Sequence, residues 1–485
     1  MFKRNTTFFI ALLLVVNSSA QVKWDLRRCV EYATANNISV RQSDLQTRFS
    51  ELIFKQGKQS QLPTLNFSNN YSMRLGRVEN PSTGVLADNN FFNINLGLNS
   101  QVSIFNWFSK KNTIESNRLS MEADKAQVKK MQDDIALNVA VAYLQILLSR
   151  EQVNLAKVQV QTTEAQLFNT RKRVEAGVLP ELNAAELEAQ ISRDSSNLIS
   201  VETSVLQFLL QMKAVLNLDA GTPFDIESPP VDKIPIDNLA DLLPESVFAL
   251  ALVNLPQQKV IDLRMQSAKK SAEAAKGQMY PSVGGFGNLA TNFVDFKKRP
   301  ILYNQVLTGY TPSLLRVQTA PNVYLPVETP DFQDGTTVLR YSEPDKFGQQ
   351  LNKNFAQGFG VGISVPILNG SSLRSNWERS KLVVKQWELT KEQDNQKLKQ
   401  DIYKAYNDAM AAIQKFNADK KSVETAAKSF DFAQKRYDLN LLSTFDLINS
   451  QNNLLRARIQ ALYSQYDYVF KMKLLEFYKG QGIKL

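Results

Sequence analysis

Histidine is absent from the 485 residues, and cysteine occurs once, at Cys29. The first absence removes the commonest general base and the commonest metal ligand, and no motif calls for a catalytic, metal or cofactor role. The second excludes an intramolecular disulfide. Beyond the first 20 residues no apolar run approaches the roughly 20 residues that a helix needs to span a bilayer, so no helical transmembrane segment is expected. A dense Lys/Arg stripe with interleaved aromatics is also missing, although the net charge is +10, and no nucleic-acid partner is expected.

What is present begins with a leader. Lys3-Arg4, the apolar run Phe8 to Val16 and Ser18-Ser19-Ala20 have the three-part layout of a secretory signal peptide over residues 1–20. Cleavage after Ala20 takes the mature chain out of the cytoplasm. Cys29 then lies too far in to be the acylated first residue of a lipoprotein, and it reads as a small buried apolar side chain.

The rest of the chain is written twice. Residues from Val102 to about Leu218 lie on Val365 to about Gly480 at a constant offset of 263, which pairs Asn106 with Asn369, Ala142-Tyr143 with Ala405-Tyr406 and Lys172-Arg173 with Lys435-Arg436. Upstream, Ala33/Ala251, Asn36/Asn254, Lys58/Lys276 and Pro63/Pro281 match at an offset of 218, so the second copy holds 45 extra residues between Pro281 and Val365. A period this long marks a duplicated half-protein rather than a short solenoid repeat. The expected organisation is a first repeat over 21–218, a linker rich in Pro and Asp over 219–244, and a second repeat over 245–485. A long extracellular loop is expected within the second repeat, at about 295–354.

Each repeat reads as helix, strand, strand, long helix, tight turn, helix. A helix is expected over Asp25 to Gln59, with Leu45, Phe49 and Leu52 on its apolar face, and another over Leu243 to Gly277. Leu65, Phe67, Tyr71 and Met73 alternate with Asn66, Ser68, Asn70 and Ser72, and Phe92, Ile94, Leu96 and Leu98 alternate with Asn93, Asn95, Gly97 and Asn99. Strands of about ten residues with this alternation suit a membrane β-barrel. Phe359, Val361 and Ile363 repeat the theme in the second copy, with a weaker partner from Val283 to Phe293. Four strands cannot close a barrel, and lipid does not tolerate open sheet edges, so several copies must complete it.

Asn106 to Ala176 contains neither proline nor glycine, and Ser371 to Leu439 matches it in length. Positions 135, 139, 142, 146, 149, 153, 156 and 160 hold Ile, Val, Ala, Ile, Ser, Val, Ala and Val, a four-three alternation that specifies a coiled-coil seam. The sharp turns fall at Gly177 and Asn440, the two residue types that most readily end a helix in the left-handed conformation. Ser443 with Asp446 three residues on is a capping pattern.

With Arg173/Gly177/Asn183 and Arg436/Asn440/Asp446 at matched places in the duplicated order, the chain resembles the TolC-like outer-membrane factors over nearly its whole mature length. The resemblance implies a mixed α/β membrane protein, a homotrimer whose 12-stranded β-barrel draws four strands from each chain and continues as a long α-helical coiled-coil tunnel. It implies location among the lipids of the outer membrane of a Gram-negative bacterium, with the helices in the periplasm. The implied role is the exit duct of a tripartite efflux pump, working with a periplasmic adaptor protein and an inner-membrane transporter of RND or ABC type. The six tip residues become adaptor contacts, and Asp446 and Asn449 become the constriction. Asn449 is neutral where some family members carry a second acid. The duct of a type I protein secretion system is the alternative within transport, and a periplasmic coiled-coil adaptor or scaffold is the alternative of another class.

Overall fold

The structure is a computed structural model and describes residues 23–79, 86–88, 90–231, 234–295, 299–302, 306–333, 338–342 and 345–480. The expected signal peptide over 1–20 lies outside the described residues, as do parts of the long loop. In chain order the elements are α1 (Leu26–Asn36), α2 (Ile38–Gln59), β1 (Thr64–Arg74), β2 (Arg77–Glu79), β3 (Leu86–Asp88), β4 (Phe91–Phe105), α3 (Ser109–Glu175) and α4 (Glu181–Leu216). After the connection follow α5 (Pro244–Asn254), α6 (Pro256–Gly277), β5 (Ser282–Asp295), β6 (Arg299–Leu302), β7 (Val306–Ala320), β8 (Val323–Gln333), β9 (Val338–Ser342), α7 (Phe347–Lys353), β10 (Ala356–Ser364), α8 (Ser372–Asp438) and α9 (Thr444–Tyr478).

The chain divides into two units, one helical (Met1–Gln56, Asn112–Ala272, Trp377–Leu485) and one carrying the strands (Gly57–Lys111, Glu273–Asn376). In the helical unit α3 and α8 have 67 residues each, about 100 Å at roughly 1.5 Å per residue. Two apolar cores are built from positions matched by the repeat. Val139, Ala142, Met212 and Ala33 belong to one. Ile402, Ala405, Leu475 and Ala251 belong to the other. The helices expected over Asp25 to Gln59 and Leu243 to Gly277 are each broken in two. Pro256 forces the break at Leu255, because the residue before a proline is driven out of the helical region. At the equivalent Asn37 the backbone is extended, its side chain caps Ser39 N at 2.9 Å, and its amide reaches Val215 O at 2.8 Å.

Leu45, Phe49 and Leu52 are exposed on the single chain, whereas Val40, Thr47 and Ser50 are buried. Among the described helices, α4 is by length and composition long and apolar enough to cross a membrane, because its second half is almost free of charge. The connection after α4 clasps the first core. Tyr143 donates to Glu227 O at 2.8 Å, Arg150 donates to Ile226 O at 2.8 Å and pairs with Asp225, and Trp24 forms a parallel bridge with Ile226.

In the strand unit the sheet order is β1-β4-β5-β10, every neighbour antiparallel, with β1 and β10 at the free edges. The register sets Phe67 beside Leu98 and Leu98 beside Leu289, and Tyr71 beside Ile94 and Ile94 beside Phe293. One residue over, Asn66, Asn99 and Asn288 form a row, as do Asn70, Asn95 and Asn292. Because the side-chain period is two, this register gathers most of the sheet's apolar residues on one face and the Asn rows on the other, which also carries Phe91, Phe286 and Val294. At Gly360 the Phe286 ring lies over the backbone, where a Cβ would come within 2.7 Å of the ring's far end.

Candidate functional site

The residues named at the two turns all lie in the helical unit. After α3, Val178 N donates to Arg173 O and Gly177 N to Val174 O, each at 2.8 Å, while Leu441 N donates to Arg436 O at 2.8 Å and Asn440 N to Tyr437 O at 2.9 Å. These are the paired bonds of a Schellman motif, which require a left-handed residue after the helix. Gly177 supplies it at φ +73° and Asn440 at φ +59°. Ser443 caps α9 by accepting from Asp446 N at 3.0 Å, and its hydroxyl donates to the Asp446 carboxylate at 2.7 Å.

The arginines behave differently from one another. Arg173 leaves its own helix and donates to Asp438 O at 2.6 Å and Tyr437 O at 3.4 Å, the last carbonyls of α8, with its guanidinium 5.7 Å from the Tyr437 ring centre. Arg436 reaches only Leu441 O, at 3.4 Å, inside its own turn. Arg173 therefore ties the first turn to the second by satisfying carbonyls that a helix end leaves open. Asn183 sits half-buried in the first turn of α4, and Asp446 and Asn449 are exposed one helical turn apart on α9. Among the described residues no hydrogen bond joins these three side chains to either arginine. Val178, Leu182, Leu439, Leu441 and Phe445 are exposed around the turns.

Behind the tip the seam turns polar. Val153 and Val160 were expected in it, but they are half-buried, and Gln159, Thr163, Gln166 and Thr170 are buried instead. Asp194 is buried and accepts from Thr163 at 2.8 Å and from Gln190 at 2.7 Å, and Gln451 donates to Thr163 at 3.0 Å. Gln166 bonds Gln434 at 3.1 Å. Thr170 meets the Tyr437 hydroxyl at 2.8 Å. The uncharged polar residues at 159, 163, 166 and 170 keep a four-three spacing of their own, the signal that reading the seam through its valines overlooked. Water can replace such hydrogen bonds when helices part, but it cannot replace apolar packing.

A family model described as outer membrane efflux protein matches residues 30–218 and 338–477. The outer membrane efflux protein BepC of Brucella suis biovar 1 (strain 1330) is 19% identical over 377 residues, covering 77% of this chain and 69% of BepC. The outer membrane protein TolC of Escherichia coli (strain K12) is 20% identical over 344 residues, covering 70% of this chain and 59%, less than two thirds, of TolC. Among solved structures, CusC, studied for its folding and transmembrane channel formation, superposes with a TM-score of 0.74 at 15% identity over 96% of this chain and 93% of that one. The Campylobacter jejuni CmeC outer membrane channel superposes at 0.70 with 14% identity over 95% and 86%. At such identities the superpositions establish the fold, that of outer-membrane channels. The two family-model segments fall one in each half and cover well over half of the sequence, so the chain belongs to the outer membrane efflux protein family, outer-membrane transport ducts rather than enzymes.

Proposed function

We propose that three copies of this chain close their four-stranded sheets into a 12-stranded barrel in the outer membrane and form one periplasmic helical duct. The duct exports small molecules passed on by an inner-membrane transporter once a periplasmic adaptor opens the tip. The observation that carries the reading is the sheet, whose register puts most of its apolar residues on one face and its Asn rows on the other while leaving the outer edges of β1 and β10 free. A sheet with an apolar face suits lipid only when its edges are joined, and here another copy's strands would join them. The exposed apolar side chains Leu45, Phe49 and Leu52 of α2, and Ile199, Leu206 and Leu210 of α4, fit the same reading as contact faces between copies. On this reading the chain is a duplicated protein of repeats 21–218 and 245–485 joined by 219–244.

The adaptor meets Arg173, Gly177, Asn183, Arg436, Asn440 and Asp446 at the tip, and Asp446 with Asn449 lines the constriction. Opening separates the helix ends that Arg173 and Tyr437 hold together and wets the polar seam. The test is the mass of the cross-linked, detergent-extracted protein together with its single-channel conductance in planar bilayers. A trimer with small, flickering conductance that rises on Asp446→Ala or Arg436→Ala agrees with the proposal. A protein that needs no detergent and conducts no ions overturns it.

A further inference from the structure

Among the described residues, β7 and β8 pair only with each other and belong to no larger sheet. They form an arm inserted between β5 and β10, on the end of those strands opposite the one that continues into α8. An isolated two-stranded ribbon is at best marginally stable in water. This one also exposes large apolar side chains. Leu307 lies opposite Phe332 and Tyr310 opposite Pro330, and Tyr324 shares their face together with Glu328, Arg316 and Gln318, while the other face exposes Val317, Val323 and Leu325. All four of Leu307, Tyr310, Tyr324 and Phe332 are exposed.

The edges of the arm are closed to pairing. Pro312, Pro326 and Pro330 offer no amide hydrogen, and three register shifts on β7 break the ladder. Prolines and bulges are the devices that keep an exposed strand from recruiting another. What remains for contact is the side-chain faces, of which the one with Leu307, Tyr310, Tyr324 and Phe332 carries the larger, aromatic groups.

We propose that this face is a clasp whose occupant is a second copy of the chain, namely the outer end of the β1–β4 hairpin of the neighbouring subunit. The inference rests on the three-copy reading above. The arm leaves the sheet at the β5–β10 hairpin, and β10 is one of the two free edges. If another copy's β1 pairs with β10, its β1 and β4 lie about 5 and 10 Å away at the usual strand spacing of roughly 4.8 Å. The ribbon is as long as the 11 residues of β8, about 36 Å at roughly 3.3 Å per residue, ample to cross both strands. The neighbour presents exposed apolar side chains at that end, Tyr71, Met73 and Leu75.

The experiment replaces Tyr310 or Tyr324 with the photo-crosslinking residue benzoylphenylalanine in the full chain, inserted in outer membranes. After irradiation and boiling in detergent, the expected product is a covalent dimer or trimer of this chain, with the crosslinked peptide falling within residues 64–79 or 86–105. The mass of the unirradiated complex is measured alongside. A trimer whose crosslinks stay within one chain, go to lipid, glycan or another protein, or fail to form overturns the clasp and leaves the three-copy reading standing. A single-chain mass overturns the three-copy reading itself. Removal of residues 306–333 gives a second measurement, in which the expected result is a trimer that loses its resistance to heating in detergent, and an undiminished resistance counts against the clasp.

Discussion

The hydroxyl of Tyr437 is the best place to weaken the tip without disturbing its packing. It is buried, 2.8 Å from the Thr170 hydroxyl and 3.4 Å from that of Thr444, the second too long to contribute much. Tyr437→Phe keeps the ring beside Arg173 and removes only the oxygen. The lost bond is worth about 1 kcal/mol net, and leaving the buried Thr170 hydroxyl short of a partner adds about 1 kcal/mol more. Thr170→Val removes the other half of the pair at similar cost. Because the double variant loses the shared bond once and leaves neither hydroxyl short of a partner, it is expected to cost about 1 kcal/mol and so to fall short of the sum of the two by about 3 kcal/mol. A loss of about 2 kcal/mol raises the frequency of local opening about 30-fold, at the usual 1.4 kcal/mol per tenfold. Hydrogen exchange of the backbone amides over 170–180 and 434–446 reads this directly. The cores around Val139 and Ile402 are untouched, so exchange there is expected to stay as in the parent. Unchanged exchange at the tip, or an increase spread evenly along the helices, would refute the claim that this pair holds the turns together.

Three other outcomes are expected. Gly177→Val puts a β-branched residue at φ +73° and should cost about 1–2 kcal/mol or more, seen as a lower melting midpoint, while Gly177→Asn should melt close to the parent because Asn440 already holds the equivalent position at φ +59°. Asp124 is buried between Ser50 and Arg264 and bonds both, so Asp124→Ala should destabilise the helical unit by about 1.5–3 kcal/mol in denaturant titration, whereas a loss under about 0.5 kcal/mol would mean that the network is idle. Burial pushes the Cys29 thiol up to about 12 from an ordinary 9.0. The folded chain then holds that proton more tightly than the unfolded chain, so the stability it contributes is complete below about pH 9 and declines as pH rises towards about 12. Cys29→Ala should lose less stability than the parent between about pH 8 and pH 11, and equal losses would contradict the assignment.

The strands and turns were legible in the sequence because their determinants are local. The alternation of Phe92, Ile94, Leu96 and Leu98 with asparagines is itself the two faces of β4, and the left-handed Gly177 and Asn440 ended the two 67-residue helices where the repeat put them. The Pro256 break could have been read from the proline. The break at Asn37 could not, since it depends on a bond to Val215 that is 178 residues away.

By itself the sequence determined the duplicated order of elements, the register-compatible strands and the positions of the sharp turns, since periodicity and φ preference belong to residues near one another in the chain. Only the tertiary structure decided which surfaces meet. It sent Arg173 to the carbonyls of α8 and left Arg436 in its own turn, although the two stand at matched positions in the repeat. It buried Asp194 among neutral partners and turned Leu45, Phe49 and Leu52 outward. The physical reason is that burial and hydrogen-bond partnership are properties of pairs of surfaces brought together from distant parts of the chain, and no local pattern specifies the second member of the pair.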